Sequence, residues 1–216
     1  MPEIRQMNRE KQQLRKDIKE VLKTKTPAEC SLASNEILSR LKRVIGDNPN
    51  LRIACFISQF NEVDTKVIIK HLFASGQVVH VPSWSKDGRM WMIPQSEDEY
   101  NALLSKELKY FYEHFGHHIP MPPNPSTSNR TPVDICITPG LLFSSALHSA
   151  EERKYERIGY GFGHYDRYFH DYHKQHSSLP FIIGIGHDEQ IVSHPLNSDA
   201  HDIHMDCLVS PGHLYH

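Results

Sequence analysis

The chain has 216 residues and a formal net charge of −2, with 24 Lys and Arg residues against 26 Asp and Glu residues. A near-neutral chain lacks the broad positive field of a duplex nucleic-acid binder, and a hydrophobic content of 38% excludes a disordered polyelectrolyte. Since no run approaches the ~18 apolar residues of a membrane span, composition predicts one globular domain over residues 1–216, with neither a nucleic-acid nor a membrane partner.

Capping and turn signals divide the first part of the chain. Thr26 and Glu29 form a capping-box pattern with a proline at the first helical position, and either Asp64 or Thr65 can cap a later helix. The predicted elements are a helix over 8–25, a helix from Thr26 to about Ile45, a buried strand over 51–57, a helix over 66–74 closed by Gly76, and a strand over 78–81.

The remaining elements continue this alternation of strands and helices. They are a return strand over 90–93, a polar helix near 100–114, a proline-rich loop over 120–132, and strands over 133–138, 181–185 and 207–210. Alternating strands and helices favour an α/β fold. We expect a three-layer α/β/α arrangement with a mostly parallel sheet.

The cysteines and the N-terminal segment indicate a compartment. Cys55 and Cys136 lie inside apolar runs, which is typical of buried, reduced thiols. Residues 1–15 are polar and include acidic residues, unlike a secretory signal and a poor match to a transit peptide. We expect a monomeric, cytoplasmic protein, with a mitochondrial location left open.

The sixteen histidines invite a metal-site interpretation. His170, His173 and His176 recur at three-residue spacing, which can bring side chains to one helix face. A zinc site requires three or four convergent ligands, whereas most of these histidines lie in polar stretches. Solvated surface histidines are therefore favoured over a metal cluster.

A glycine-rich run follows the strand over 133–138. Gly159, Gly161 and Gly163 alternate with other residues, so their amides can form an anion-binding concavity. A helix beginning near His164 adds its positive N-terminal end. Arg157 can clamp phosphate oxygens, and Asp166 is an oxygen ligand suited to Mg²⁺. The alternative is a glycine-rich turn packed on its neighbours, but phosphate binding is favoured.

Two further groups carry candidate chemistry. Phe60 and Glu62 follow the strand over 51–57, where the carboxylate can accept hydrogen bonds from a heterocycle or can be a solvated acid before a helix. Lys11 and Arg15 lie four residues apart on the first helix and can reach a polyphosphate or face solvent. For Glu62 the two alternatives are equally supported, whereas for Lys11 and Arg15 a solvated helix face is favoured.

Together, in this order, these pieces resemble the 5-formyltetrahydrofolate cyclo-ligase (5,10-methenyltetrahydrofolate synthetase) family. The similarity runs from Lys11 to Val209, and the glycine run with its following Tyr-Asp is its most specific part. The other matching stretches are Asn61-Glu62-Val63-Asp64-Thr65, Val81-Pro82, Thr138-Pro139-Gly140, Gly186-His187-Asp188-Glu189-Gln190 and His201-Asp202.

The resemblance implies an enzyme that uses ATP and Mg²⁺ to convert 5-formyltetrahydrofolate, with or without a polyglutamate tail, to 5,10-methenyltetrahydrofolate, releasing ADP and phosphate. It implies an iminium phosphate intermediate. The residues it implies are Lys11, Arg15, Arg157, Ile158, Gly159, Tyr160, Gly161, Phe162, Gly163, His164 and Tyr165 for the nucleotide; Phe60, Glu62, Met90, Met92 and Tyr160 for the folate; Arg157 and Tyr165 for catalysis; and Asp166 for the metal.

The chain departs from the family pattern at a few positions. Phe162 replaces a small or basic residue, His164 replaces an aromatic residue, and His117 stands where tryptophan is usual. These changes leave a second hypothesis open, a folate- or nucleotide-binding relative impaired in catalysis. A third hypothesis is a different phosphate-handling enzyme on a similar sheet, such as a sugar-phosphate isomerase.

Overall fold

The computed structural model describes residues 2–59, 61–85, 88–105, 111–114, 117–122, 131–146, 155–196, 199 and 202–216, with the backbone alone for 2–8 and 111–118. The helices of this part are α1 (Pro2–Lys23), α2 (Pro27–Ile45), α3 (Thr65–Ala74), α4 (Glu97–Leu104) and α5 (His164–His176), with a 3₁₀ helix at Asp188–Gln190. Their starts follow the sequence signals: capping boxes at Thr26 and Ser96 are both formed, and Asp64 caps α3.

The strands are short. They are β1 (Arg52–Cys55), β2 (Val78–Trp84), β3 (Met90–Pro94), β4 (Phe111–His114), β5 (His117–Pro120), β6 (Ile135–Thr138), β7 (Leu142–Ser144), β8 (Arg157–Ile158), β9 (Phe181–Ile185), β10 (Ile191–Val192), β11 (Cys207–Val209) and β12 (Leu214–Tyr215).

Seven strands form the central sheet in the order β12-β11-β9-β6-β1-β2-β3. The five inner strands are parallel, and β3 and β12 pair antiparallel at the two edges. The inner strands are almost wholly buried, as expected for a parallel sheet covered on both faces. This confirms the predicted mostly parallel α/β sheet.

The strand order shows how the helices cover both faces. From β1 the chain passes through α3 to β2 in one direction, and from β6 it passes through α5 to β9 in the opposite direction. Because such crossovers are right-handed, α3 and α5 lie on opposite faces of the sheet. The connections diverge between β1 and β6, so a crevice forms at the carboxyl ends of these two strands.

Helix α1 is held by a hydrophobic cluster separate from the main core. Ile18 and Leu22 of α1 pack with Leu141, Leu142, Ile158 and Leu196. These partners lie in β7 or directly before it, in β8 and in the segment after β10. Strand β7 is the middle strand of a small sheet ordered β10-β7-β8. The cluster therefore fixes α1 beside the strand that leads into the glycine run.

The predicted helix near 100–114 is wrong at residues 111–114, and residues 106–110 lie outside the described part of the chain. Helix α4 ends at Leu104, where the amide and hydroxyl of Ser105 both donate to the carbonyl of Ala102. The aromatic stretch that follows forms β4, which pairs antiparallel with β5. Aromatic side chains favour extended backbone. The strand that pairs with β4 is a separate segment, so the helical pattern of residues 100–114 alone could not reveal it.

The structure also shows where the cysteines and histidines lie. All four cysteines are buried with free thiols. His170 and His173 are exposed on α5, and no group of three or more His, Cys, Asp or Glu side chains in the described ranges is placed to hold a metal ion. Within the same ranges, the helices are too short or too polar to cross a bilayer.

Candidate active site

A cavity of about 920 Å³ opens at the carboxyl ends of β1, β2 and β6. Ile57 and Pro139 line it just beyond β1 and β6, and Trp84 lines it at the end of β2. This is the crevice where the chain connections diverge, the usual ligand position in an open α/β sheet. The volume lies near the top of the range of roughly 300–1,000 Å³ for small-molecule sites, so it suits a large ligand or two ligands together.

The cavity wall carries an excess of positive charge. Among the described residues, six cationic side chains and four carboxylates line it. The cations are Lys11, Arg15, Lys19, Lys23, Arg157 and Arg167, and the carboxylates are Glu62, Asp166, Asp199 and Asp202. Because the whole chain carries a formal charge of −2, this local excess marks the cavity as a site for an anionic ligand.

The glycine run enters α5 through backbone that needs glycine. Gly161 has φ +104° and Gly163, the N-cap of α5, has φ +61°, a region that other residues adopt only with strain. Gly163 leaves the first amides of a thirteen-residue helix without a side-chain cap. These amides and the positive end of the helix face the cavity, which suits phosphate oxygens.

Arg157 and Asp166 form a buried ion pair behind the glycine run. Arg157 Nη2 lies 3.0 Å from Asp166 Oδ1, and the side chains are 7% and 20% exposed. The guanidinium carbon also lies 5.5 Å from the ring centre of Tyr165, which lines the cavity. Burial raises the pKa of Tyr165 well above its ordinary value, so this hydroxyl is a hydrogen-bond donor rather than a base at neutral pH.

Lys11 and Arg15 bring positive charge from α1 to the same wall. Lys11 Nζ lies 2.8 Å from Asp199 Oδ2 and 3.2 Å from Asp202 Oδ2. Burial lowers the pKa of Lys11, but the hydrogen bonds to the two aspartates outweigh burial and the pKa is raised overall. Arg15 Nε donates to the carbonyl of Gly159 at 2.8 Å, so α1 is joined directly to the glycine run.

Glu62 stands at the other end of the cavity, after β1. Its Oε2 accepts from the amide of Gln59 at 2.8 Å, and its Oε1 accepts a long hydrogen bond of 3.4 Å from the hydroxyl of Tyr160. Burial raises the pKa of Glu62 to about 7, while these two hydrogen bonds oppose the rise. A carboxylate balanced near neutral pH can meet the N–H donors of a heterocycle.

Three aromatic rings line the rim. Phe162 and His164 stack with ring centres 5.8 Å apart and planes 7° from parallel, and Trp84 meets His164 edge-on at 6.1 Å. Phe162 is 41% exposed. Its ring therefore lies on the surface of the cavity against His164, not inside the apolar core.

All eleven residues predicted to bind the nucleotide line this one cavity, as do Glu62 and Asp166. Their assignment to particular ligands stays a prediction. Met90 and Met92 are instead buried in the main core and are not among the lining residues of the described chain, because alternate residues of β3 face the core. Phe60 lies outside the described residues, as does the side chain of His117.

The sequence reasoning missed other lining residues. Asp199 and Asp202 hold Lys11, almost 200 positions away in the chain, and no local pattern in the sequence indicates this partnership. Lys19 and Lys23 continue the four-residue spacing of Lys11 and Arg15 along α1. That spacing was a signal available in the sequence.

The similarity of the chain to known proteins agrees with this geometry. The sequence profile of the 5-formyltetrahydrofolate cyclo-ligase family matches residues 7–211. The chain belongs to this family. It is 28% identical to the 5-formyltetrahydrofolate cyclo-ligase of Saccharomyces cerevisiae over 206 residues, covering 92% of this chain and 94% of the yeast protein. The Mus musculus cyclo-ligase is 28% identical over 204 residues, covering 93% of each chain.

Solved structures support the same fold. A 5,10-methenyltetrahydrofolate synthetase from Mycoplasma pneumoniae has a TM-score of 0.62 at 19% identity, covering 93% of this chain and 98% of the other. The synthetase from Aquifex aeolicus has a TM-score of 0.63 at 19% identity, covering 95% and 91%. Family membership contradicts the third hypothesis, an unrelated phosphate-handling enzyme such as a sugar-phosphate isomerase.

Proposed function

We propose that this cyclo-ligase family member uses ATP and Mg²⁺ to convert 5-formyltetrahydrofolate to 5,10-methenyltetrahydrofolate, releasing ADP and phosphate. The observation that carries the proposal is a single cavity that brings together the α1 cations, the glycine run before α5, and Glu62 after β1. These segments are far apart in sequence and are the ones that the family resemblance assigns to the two substrates. The names of the yeast and mouse relatives support the reaction.

The glycine run and the cations form the phosphate half of the proposed site. The amides at the start of α5 hold phosphate oxygens, and Lys11, Arg15 and Arg157 neutralise their charge. Transfer of a phosphoryl group needs positioning and charge neutralisation more than it needs a protein nucleophile. The buried, protonated hydroxyl of Tyr165 can donate a hydrogen bond in this half.

The donor set also suits Mg²⁺ held jointly with the phosphates. Mg²⁺ commonly takes one or two protein carboxylates and completes its octahedron with phosphate oxygens and water. Within the described part of the chain, Arg157 and the amide of Ile203 both donate to Asp166 Oδ1. Asp166 Oδ2 is the atom that would hold the cation, and Asp202 supplies a second carboxylate on the same cavity. Bound there, Mg²⁺ would offset the negative charge that develops on the transferring phosphoryl group.

The proposed chemistry has two steps. The formyl oxygen attacks the γ-phosphorus, the bond to the ADP oxygen breaks, and the formyl group becomes an iminium phosphate. The folate N10 then adds to the activated carbon, its proton passes to solvent, and phosphate leaves to give the methenyl ring. Glu62 orients the pterin by accepting its N–H donors, which keeps N10 within reach of the carbon.

The test is the formation of the methenyl absorbance by the purified full-length chain supplied with 5-formyltetrahydrofolate, ATP and Mg²⁺. Omission of ATP and removal of Mg²⁺ with a chelator are the two controls. We expect turnover that stops in both controls, with one ADP formed per methenyl product. Product formed at an equal rate without ATP would refute the proposed reaction.

A second candidate function is binding without turnover. The observation that favours it is the exposed ring of Phe162 within the glycine run, where a large side chain can hinder the approach of the γ-phosphate. Calorimetry with ADP and with 5-formyltetrahydrofolate separates the candidates. Binding of both ligands by a chain that forms no product would support the binding protein and contradict the enzyme.

The proposal extends to where the protein acts. Four free, buried thiols suit a reducing compartment such as the cytoplasm, and the expected oligomeric state is a monomer. Fractionation of cells and light scattering of the purified chain test these two points. Assays with mono- and polyglutamylated folates test the preference for a tail.

A further inference from the structure

One side chain connects the two halves of the cavity. Tyr160 belongs to the glycine run, between Gly159 and Gly161, yet its hydroxyl donates to Oε1 of Glu62 at 3.4 Å. The two residues are 98 positions apart in the chain. The glycine run, proposed to bind the phosphates, is therefore in direct contact with Glu62, proposed to bind the pterin.

The hydrogen bond leaves Glu62 able to bind a ligand. A carboxylate offers about four lone pairs. Among the described residues, the amide of Gln59 and the hydroxyl of Tyr160 occupy one lone pair on each oxygen of Glu62. One acceptor position remains on each oxygen. Gln59 and Tyr160 thus set the direction in which Glu62 meets the N–H donors of a folate.

The surroundings of Tyr160 keep its hydroxyl protonated, so it acts as a hydrogen-bond donor. Burial, followed by the charge of Glu62, raises its pKa far above the ordinary value, so the hydroxyl remains protonated. The ammonium of Lys19 lies 5.1 Å from the centre of the tyrosine ring and attracts the π electrons. This contact ties the ring to α1, whose Arg15 also donates to the carbonyl of Gly159.

The bond has room to tighten. Hydroxyl-to-oxygen hydrogen bonds are usually about 2.7–2.8 Å long, and those at active sites often shorten only when substrate is present. Tyr160 shares its backbone with the amides beside Gly159 and Gly161, so any shift of those amides toward a bound phosphate would carry the tyrosine with it. The first ligand to bind thereby fixes the partner group of the second.

We infer that Tyr160 is a positioning residue that couples the glycine run to Glu62, so that the nucleotide and the folate each strengthen the binding of the other. The inference rests on the proposed function, because it takes these two ligands as the occupants. By linkage, the factor by which the folate tightens the nucleotide must equal the factor by which the nucleotide tightens the folate.

The experiment measures this coupling factor by calorimetry, with ADP and Mg²⁺ as one ligand and 5-formyltetrahydrofolate as the other, since ADP cannot drive the reaction. In the wild type, each Kd should fall when the other ligand is saturating. In Tyr160→Phe the coupling factor should drop by about two- to tenfold, the range for loss of one ordinary hydrogen bond. The KM for 5-formyltetrahydrofolate should rise while kcat changes little.

Two further variants control the measurement. Tyr215→Phe makes the same chemical change at the sheet edge, away from the cavity, and should keep the wild-type coupling factor. Glu62→Gln should also lower the coupling factor, and the double variant Glu62→Gln with Tyr160→Phe should lower it no further. Thermal unfolding checks that each variant is folded. If Tyr160→Phe does not fold, the coupling factor of Glu62→Gln tests the inference instead.

The outcomes separate this inference from the proposed function. A wild type that forms no methenyl product refutes the proposed function. A wild type that forms product but shows no coupling, or a Tyr160→Phe variant that couples as well as the wild type, refutes the role of Tyr160 alone.

Discussion

Replacing Asp166 by asparagine tests the structural and the chemical role of one carboxylate. Asp166 Oδ1 is paired with the buried guanidinium of Arg157 at 3.0 Å, and Oδ2 is the proposed ligand of Mg²⁺. Asparagine keeps the shape and one acceptor oxygen but removes the charge. We therefore expect the variant to lose both ATP turnover and some stability.

The magnitude of the stability loss follows from the ion pair. Asparagine can still accept a hydrogen bond from Arg157 but no longer offsets its charge. Because a hydrogen bond to a charged group contributes about 1.5–3 kcal/mol and part of it is retained, the exchange should cost roughly 1–2 kcal/mol. Both side chains are largely shielded from solvent, so screening removes little of this. For a domain of this size each kcal/mol lowers Tm by about 2–4 °C, and the expected decrease is about 2–8 °C.

The measurement is thermal unfolding without ligands and the ATP-dependent methenyl assay across a Mg²⁺ titration. Asp171→Asn is the matched control, because it makes the same change on an exposed face of α5. Near-wild-type turnover of Asp166→Asn at all Mg²⁺ concentrations would refute the metal assignment. A Tm equal to that of the control would refute the contribution of the ion pair.

Three other predictions concern single groups. Glu62 has a pKa of about 7, so the wild-type KM for 5-formyltetrahydrofolate should fall as pH rises through 7, because the ionised carboxylate is the better acceptor. Glu62→Gln should weaken folate binding about ten- to a hundredfold and should remove this pH dependence. A variant with the same pH profile as the wild type would contradict the assignment. Stability should change in the other direction. Because the pKa of Glu62 is raised from about 4.5 to about 7 on folding, the free energy of unfolding of the wild type should decrease relative to that of Glu62→Gln as pH rises through this range. Urea titrations at several pH values measure this difference. Phe162→Gly should leave kcat unchanged or raise it, because removal of the exposed ring lets the amides approach phosphate closely; a large rise in the folate KM alone would place Phe162 against the pterin. Tyr100→Phe should leave Tm unchanged or raise it, since the buried hydroxyl of Tyr100 lacks a hydrogen-bond partner among the described residues, and a clear decrease in Tm would reveal a partner.

The elements that the sequence predicted well carry local signals. The helix starts at Thr26, Asp64 and Ser96 depend on side chains within three residues of the cap, so a short window contains their cause. The pairing of β4 with β5 and the small sheet of β7, β8 and β10 depend on contacts between separate segments. Two-residue strands such as β8 leave almost no periodic pattern to detect.

The site divides in the same way. Strand ends and glycines placed Glu62 and the run from Gly159 to Gly163 at one edge of the sheet, because parallel strands end together. The apolar stretch of β3 did not show which side chains face inward, and Met90 and Met92 proved to be core residues. Asp202 was part of the family similarity, but its pairing with Lys11 required the folded chain.

The pairing of Lys11 with Asp199 and Asp202 has a consequence for biosynthesis. A nascent chain leaves the ribosome N-terminus first, so α1 emerges long before the aspartates that hold it, 188 and 191 positions later. Strand β11, at Cys207–Val209, adds to the parallel sheet later still. The wall of the cavity that carries Lys11 can therefore be completed only after Asp199 and Asp202 have been synthesised, and a chain truncated before Asp199 would carry the glycine run without the carboxylates that anchor α1 beside it.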